Sequence, residues 1–91
     1  VFLKLRREEK DVYYWKSEKQ EEVDFVIKNS DSSLTALNVT YSDDIDEREI
    51  NALIKFKSFY IKTKEMIILT KNIEKTENGI KFVPLWKWLL Q

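Results

Sequence analysis

The sequence contains no cysteine and no histidine, and it has only one glycine and one proline among its 91 residues. Without cysteine the chain has no disulfide scaffold and no thiolate zinc site. Without histidine it cannot form a Ser-His-Asp or Cys-His catalytic centre, a histidine-ligated zinc site or a histidine pH switch. Gly79 alone cannot supply a P-loop or a dinucleotide-binding turn, because both need several glycines beside the phosphates. These absences exclude many familiar enzyme classes for this segment.

An excess of charge of one sign is also lacking, since 16 Lys and Arg residues balance 16 Asp and Glu residues. A dedicated nucleic-acid binder normally carries a basic excess, so the balance argues against strong non-specific binding and leaves room only for a local basic patch. No apolar run approaches the roughly 18 residues of a membrane span, and no signal peptide is visible. We therefore expect a cytoplasmic protein with no membrane partner. The abundance of Lys, Glu and Ile hints at a thermophile.

The composition that is present fits one small α/β domain over residues 1–91. Hydrophobic residues make up 43% of the chain, which is enough for a single core, and the abrupt apolar start at Val1 predicts a fragment of a larger protein. Periodicity and turn signals predict the order α–β–β–β–α–β–β–α, with the first three strands in an antiparallel meander. The predicted strands are residues 12–16, 22–28, 34–41, 66–69 and 80–83. The continuous apolar run at 66–69 is typical of a buried strand that pairs after a crossover helix, and Asn78-Gly79 predicts a turn before the last strand.

The predicted helices also carry local end signals. The first helix ends near Glu9, and the last begins at Pro84. The middle helix follows Asp44 or Asp46, each with a glutamate three residues later, as in a capping box. Its predicted apolar face runs from Ile50 to Ile61.

Acidic and amide side chains on the second and third predicted strands form the first candidate site. Strict alternation places Val23, Phe25 and Ile27 on one face and Glu22, Asp24 and Val26 on the other. Glu22 and Asp24 would then face Asn38 and Thr40 on the next strand, unless a one-residue change of register reverses the faces. Metal-dependent nucleases use carboxylates in this way to hold Mg²⁺. The alternative is an ordinary polar face of a sheet.

Basic and aromatic side chains near the start of the chain form a second candidate site. Basic residues beside stacking aromatics can bind single-stranded nucleic acid. Acidic residues interrupt this patch, so the alternative is a strand of core aromatics next to a solvated helix end. The candidates for nucleic-acid contact are Arg6, Arg7, Lys10 and Lys16, interleaved with Tyr13, Tyr14 and Trp15.

The last predicted helix is apolar almost all round, with Lys87 as its only polar side chain. A helix of this kind is either buried on most sides or contacts a partner. Trp86 and Trp88 are two residues apart and point to different faces, so one of them can fill the core and the other a neighbour's groove. Trp86, Trp88 and Leu90 are therefore candidate partner contacts, and core packing at the chain end is the alternative.

Seven segments in this order resemble the C-terminal domain of unknown function of archaeal and bacterial AAA+-type ATPases. That domain has a restriction-endonuclease-like fold of the PD-(D/E)XK superfamily. The strongest parts are Tyr-Tyr-Trp at 13–15, Glu-Val-Asp-Phe at 22–25 and Pro-Leu-Trp-Lys-Trp at 84–88. The matching segments are residues 1–7, 12–16, 22–26, 37–41, 48–53, 67–70 and 84–90.

The resemblance implies a degenerate nuclease site. Asp24 matches the superfamily's strand aspartate. Lys4 stands where a helix glutamate is expected, and Asn38 and Thr40 stand where the Glu and Lys of Glu-x-Lys are expected. The amide of Asn38, the ammonium group of Lys4 and the hydroxyl of Thr40 cannot bind the metal ion or orient the attacking water as the superfamily's residues do. We expect no cofactor; Asp24 and Glu22 are the ligands that Mg²⁺ would use, and Lys57 is a candidate substitute for the lost lysine.

The expected function is therefore a non-catalytic accessory domain of an ATPase, with an upstream P-loop ATPase domain and winged-helix-like segments implied by the resemblance. Nucleic acid or another protein would be its partner. Two alternatives stay open. One is a metal-dependent nuclease with an atypical active site, and the other is a docking or dimerisation module, for which homo-oligomers are expected.

Overall fold

The chain folds as a three-layer α/β/α sandwich in a computed structural model that describes all of residues 1–91. One long helix covers one face of a six-stranded mixed sheet, and two short helices cover the other. The elements are α1 (Phe2–Arg7), β1 (Asp11–Lys16), β2 (Glu22–Lys28), β3 (Leu34–Val39), α2 (Glu47–Phe59), β4 (Thr63–Thr70), β5 (Lys75–Glu77), β6 (Ile80–Pro84) and α3 (Leu85–Leu89).

The strands lie in the order β1-β2-β3-β4-β6-β5. The antiparallel meander of β1, β2 and β3 confirms the prediction, and so does the parallel pairing of β4 with β3 after the α2 crossover. Strand β6 is parallel to β4, so β3, β4 and β6 all end at the same edge of the sheet. The predicted turn at Asn78 and Gly79, with φ of 52° and 79°, joins β5 to β6. Strand β5 was not predicted, because it is short and wholly polar.

A bulge in β2 corrects the predicted faces of that strand. Tyr13 pairs with Val26 and Trp15 pairs with Val23, so β2 carries one residue more than β1 between these pairs. Val23 consequently packs with Val26 in the core under α2, whereas strict alternation had placed the two on opposite faces. Phe25 stays on the other face.

Helix α2 begins at a side-chain cap, because Asp46 Oδ1 accepts a hydrogen bond from the Arg48 N–H at 2.9 Å. The cap confirms Asp46 rather than Asp44 as the helix start. The predicted apolar face of this helix extended to Ile61, which is beyond the observed C-terminal end. The helix ends at Phe59, and a turn held by hydrogen bonds from the Thr63 N–H and hydroxyl to the Tyr60 carbonyl leads into β4. Ile61 is therefore exposed rather than packed.

Two separate cores result from the two faces of the sheet. The first lies under α2 and the second lies under α1 and α3. No helix is both long and apolar enough to cross a membrane. The first core is Val23, Val26, Ala36, Leu53, Phe56, Met66, Ile68, Ile80 and Phe82; the second is Leu5, Ile27, Leu37, Ile67, Leu69 and Trp88.

Candidate functional site

An acidic pocket of about 250 Å³ opens where the N-terminus of α2 meets the start of β2 and the end of β3. None of its lining residues is hydrophobic. The cap at Asp46 sets the position of the first turn of α2 and so brings the acidic side chains of that turn to the strands. The pocket is lined by Gln20, Glu21, Glu22, Asp24, Asp46, Arg48 and Glu49.

Asn38 lies beneath this pocket and is completely buried. Its Oδ1 accepts a hydrogen bond from the Asp24 N–H at 2.7 Å. Its Nδ2 donates to the carbonyl oxygens of Glu22 at 3.2 Å and Glu49 at 3.3 Å. One amide side chain thus ties β2, β3 and α2 together. Since a buried polar group without partners is costly, this complete set of bonds makes Asn38 a structural residue.

The carboxylate of Asp24 is also used within the sheet. Its Oδ2 accepts a hydrogen bond from the Val39 N–H at 2.9 Å. The backbone pairing of β2 with β3 ends at Phe25 and Leu37, and beyond that pair the Asp24 side chain supplies the acceptor for the Val39 N–H. Asp24 and Asn38 are therefore brought together as the sequence predicted, but they bond to backbone groups on each other's strands.

Like charges crowd the pocket. Partial burial, followed by the neighbouring carboxylates of Asp24 and Asp46, raises the pKa of Glu49. Partial burial and the nearby Glu22 carboxylate likewise raise the pKa of Tyr14 on the adjacent strand. Arg48 is the one cation of the lining, and its guanidinium donates to the backbone carbonyl of Gln20 at 3.4 Å. Lysines from outside the lining pair with two of its five carboxylates, Glu21 at 2.9 Å and Glu22 at 3.6 Å, and the acidic excess that remains disfavours phosphate.

These residues do not fit the metal centre that the nuclease resemblance implies. Asn38 presents only a buried amide oxygen that already accepts a hydrogen bond, and one Asp24 oxygen is engaged by Val39. No group of three or more carboxylates in the chain has the spacing of a metal site. Mg²⁺ can use one or two carboxylates beside substrate phosphates, but here the other carboxylates of the pocket would face those phosphates.

The remaining residues of the candidate nuclease site lie apart from the pocket. Lys4 Nζ donates to the Trp88 carbonyl at 2.9 Å, lies 4.4 Å from the centroid of the Trp88 ring and pairs with Glu8 at 3.5 Å. Thr40 follows the end of β3, and its N–H donates to the Leu69 carbonyl. Lys57 is exposed near the C-terminal end of α2, far along the helix from Asp46. The pocket has no lysine in its lining.

The four basic candidates do not form one patch. Arg6 and Lys10 line a shallow groove with Phe2 and Tyr13. Lys16 lies in another groove and pairs with Glu22 at 3.6 Å. Arg7 is exposed and lines neither groove. The fold thus divides the basic candidates between two grooves, and their contact with nucleic acid stays a prediction.

The groove that contains Lys16 was not predicted as a site. It has a volume of about 540 Å³ and combines three aromatic and three lysine side chains. Trp15 was noted in the sequence, but its neighbours come from the far end of α2, and only the fold brings them together. The groove is lined by Trp15, Lys16, Ser17, Glu18, Lys19, Lys55, Phe59 and Tyr60.

The two tryptophans of α3 point to different sides, as predicted. Trp88 is 8% exposed and belongs to the second core, whereas Trp86 is 57% exposed. Leu90, just after the helix, is 80% exposed, and Phe2 and Leu3 on α1 are also exposed. Trp86 and Leu90 are thus available to a partner, and Trp88 is a core residue.

The sequence of the chain matches a domain family whose function is described as unknown. The family model described as domain of unknown function DUF4143 covers residues 1–88, so the chain belongs to this family. The chain is also 33% identical over 103 residues to an uncharacterized archaeal protein, MJ1544 of Methanocaldococcus jannaschii. That match covers 99% of the chain but only 23% of the relative's length. No solved structure matches the chain.

Proposed function

We propose that this domain is a non-catalytic accessory domain of a larger AAA+-type ATPase, with a restriction-endonuclease-like fold whose former active-site positions now hold the sheet to α2. Its role in this proposal is to dock on the rest of that protein. The ATPase and the nuclease ancestry rest on the family resemblance. A curated relative that extends well beyond the matched segment is consistent with further domains.

The observation that carries the proposal is the buried amide of Asn38. At this position a nuclease needs a carboxylate that is free to bind a metal ion. Asn38 is neutral and inaccessible, and three backbone groups from β2 and α2 occupy both of its polar atoms. An acid placed here could not donate to the Glu22 and Glu49 carbonyls and would bury a charge, so the fold itself favours the amide.

The docking role is supported by exposed apolar side chains on α1 and α3. Helices this short are marginal alone, and these two expose Phe2, Leu3, Trp86 and Leu89 to water. The partner that we infer is the ATPase portion of the same longer protein, because that portion is present at a fixed ratio and high local concentration.

A cleavage assay tests the absence of catalysis. Plasmid DNA would be incubated with the purified domain and with Mg²⁺ or Mn²⁺, beside an Asp24→Asn variant that retains an acceptor oxygen for Val39. We expect no difference from the metal-only control for either protein. Cleavage by the wild type that Asp24→Asn abolishes would contradict the proposal and favour an atypical metal-dependent nuclease.

A binding assay tests the docking role. The longer protein would be expressed as two pieces, and their association would be measured by calorimetry. We expect Trp86→Lys to weaken association at least tenfold and Ile54→Lys, an exposed change on the opposite helix layer, to leave it unchanged. Equal affinities for the two variants would contradict docking through α3.

Single-stranded nucleic acid is a second candidate partner, and the aromatic groove favours it. Trp15 and Phe59 lie with ring centroids 6.2 Å apart, and Lys16, Lys19 and Lys55 surround them. Base stacking with phosphate contacts suits such a groove. Fluorescence anisotropy with a labelled oligonucleotide should then show salt-dependent binding that Phe59→Ala weakens; no binding at low salt would remove this candidate.

A further inference from the structure

The two outer strands of the sheet differ in how well their free edges are protected. Strand β5 has three residues, all polar and exposed, and Lys75 pairs with Glu77 at 3.0 Å. Strand β1 has six residues with Val12, Tyr13, Tyr14 and Trp15 at its centre. A free edge presents unpaired N–H and C=O groups, and short charged edges resist pairing whereas long apolar edges invite it. Strand β1 is therefore the edge that can accept another strand.

Concave surfaces run beside β1 on the two faces of the sheet. On the α2 face, a wholly apolar pocket of about 210 Å³ lies between the aromatic residues of β1 and Phe56 and Tyr60 of the α2 end. Beside α1, a groove of about 320 Å³ includes Val12 and Tyr13 together with Phe2. Tyr13 and Tyr14 are 56% and 59% exposed at the strand centre. Pockets of this kind receive the alternate side chains of an added strand.

We propose that β1 pairs with β1 of a second copy of this chain, antiparallel about a two-fold axis at Tyr14, so that two six-stranded sheets become one continuous sheet. An isologous contact of this kind uses the same surface on both copies and closes after two subunits. The chain carries no net charge, so no overall repulsion opposes the pairing. This inference does not rest on the proposed function.

Symmetry and charge together determine which residues of the two β1 strands lie opposite each other. In an antiparallel pair, the side chains of directly opposite residues point to the same face of the sheet. The two-fold axis must therefore lie where a residue is opposite its own copy, and not between two residues. With the axis at Tyr14, Tyr13 lies opposite Trp15 of the second copy, and Lys10 lies opposite Glu18 of the second copy. With the axis at Tyr13, Lys10 would instead lie opposite Lys16, and like charges placed directly opposite destabilise a pair. Aromatic and charge complementarity therefore favour the first register.

Sedimentation velocity over a range of protein concentrations tests the dimer. We expect the wild-type chain to show a concentration-dependent dimer and Tyr14→Lys, which places two ammonium groups at the axis, to remain monomeric. Leu90→Lys adds the same charge at an exposed apolar site on the other face and should leave the dimer intact. A wild-type chain that is monomeric at millimolar concentration overturns the proposal, and so does a dimer that Leu90→Lys breaks and Tyr14→Lys does not.

Cysteine cross-linking tests the register, because the chain has no cysteine of its own. Residues facing each other across an antiparallel pair have Cα atoms about 4.5 to 5.5 Å apart, within the range that a disulfide spans. Tyr14→Cys should therefore form a disulfide-linked dimer on mild oxidation, whereas Tyr13→Cys, with its two copies displaced along the strand, should form little. Efficient cross-linking of Tyr13→Cys without cross-linking of Tyr14→Cys overturns the pairing centred on Tyr14.

Discussion

The two faces of the sheet are covered in different ways. On one face, α2 spans 13 residues, begins at the side-chain cap of Asp46 and buries Leu53 and Phe56 over a core of nine residues. On the other face, α1 and α3 have six and five residues, and neither has a side-chain cap. Their core has six residues, and Lys4 joins the two helices through its bond to the Trp88 carbonyl.

The two faces are therefore expected to differ in how much they contribute to stability. A long capped helix on a complete core is expected to carry most of the stability, whereas short uncapped helices depend on tertiary contacts. The second face also exposes Leu3, Trp86 and Leu90. We infer that the α2 face contributes more of the stability, and the docking proposed above uses the face with the smaller core.

Matched leucine truncations in the two cores should have the largest effect on stability. Leu53 on α2 and Leu5 on α1 are both buried. We expect Leu53→Ala to lower the free energy of unfolding by about 4 kcal/mol and Leu5→Ala by about 2 kcal/mol, because a short helix can move into the space that the smaller side chain leaves. Urea denaturation measures both. Equal losses would show that the two faces contribute alike.

The difference between the faces was only partly predictable from the sequence. Hydrophobic period and the spacing Asp46-x-x-Glu49 predicted α2, because helix periodicity and caps are local signals. The two-residue step from Trp86 to Trp88 likewise predicted one buried and one exposed ring. The bulge in β2 was not predictable, since it depends on how β2 pairs with β1 and leaves no local mark between Val23 and Val26.

The candidate site was likewise only partly predictable from the sequence. Asp24 and Asn38 were recognised as neighbours from the pattern of the strands. Their hydrogen bonds to backbone groups were not, because these depend on where the pairing of β2 with β3 ends and on the approach of α2. Glu49 was recognised only as a capping residue. Its place in the acidic pocket is set by tertiary structure, as is the meeting of Trp15 with Phe59.

Removing the buried amide should have the second largest effect, and it tests whether α2 depends on more than apolar packing. Asn38→Ala leaves the Asp24 N–H and the Glu22 and Glu49 carbonyls without their partner. We expect a loss of about 3 kcal/mol in urea unfolding. Asn51→Ala, on the exposed side of α2, should change stability by less than about 0.5 kcal/mol. A small effect of Asn38→Ala would mean that the amide does not hold the sheet to α2.

Removing the ammonium group of Lys4, which lies between α1 and α3, should have a smaller effect on stability. Lys4→Met keeps the apolar stem and removes the bond to the Trp88 carbonyl and the contact with the Trp88 ring. We expect a loss of about 1 kcal/mol, with Lys57→Met, an exposed change on α2, close to neutral. Thermal unfolding followed by tryptophan fluorescence measures both. If the two variants matched, α1 and α3 would be held together by apolar packing alone.

The smallest expected effect on stability concerns the acidic pocket at the start of α2. The pKa of Glu49 is raised in the folded protein, so the folded state holds this proton more tightly than the unfolded state does. Stability therefore falls as pH rises from the ordinary value of 4.5 through the raised pKa, and the cost remains at neutral pH.

Glu49→Gln removes that charge while its backbone carbonyl still accepts from Asn38. We expect a gain of about 0.5 kcal/mol at pH 7, since Glu49 is partly exposed and solvent screens its neighbours. The gain should disappear below pH 4, where Glu49 is protonated in both states. Urea unfolding at the two pH values measures this difference. If the stability gain persisted at low pH, it would come from packing or helix propensity rather than from charge. The neighbouring carboxylates of Asp24 and Asp46 would then have no measurable effect on stability.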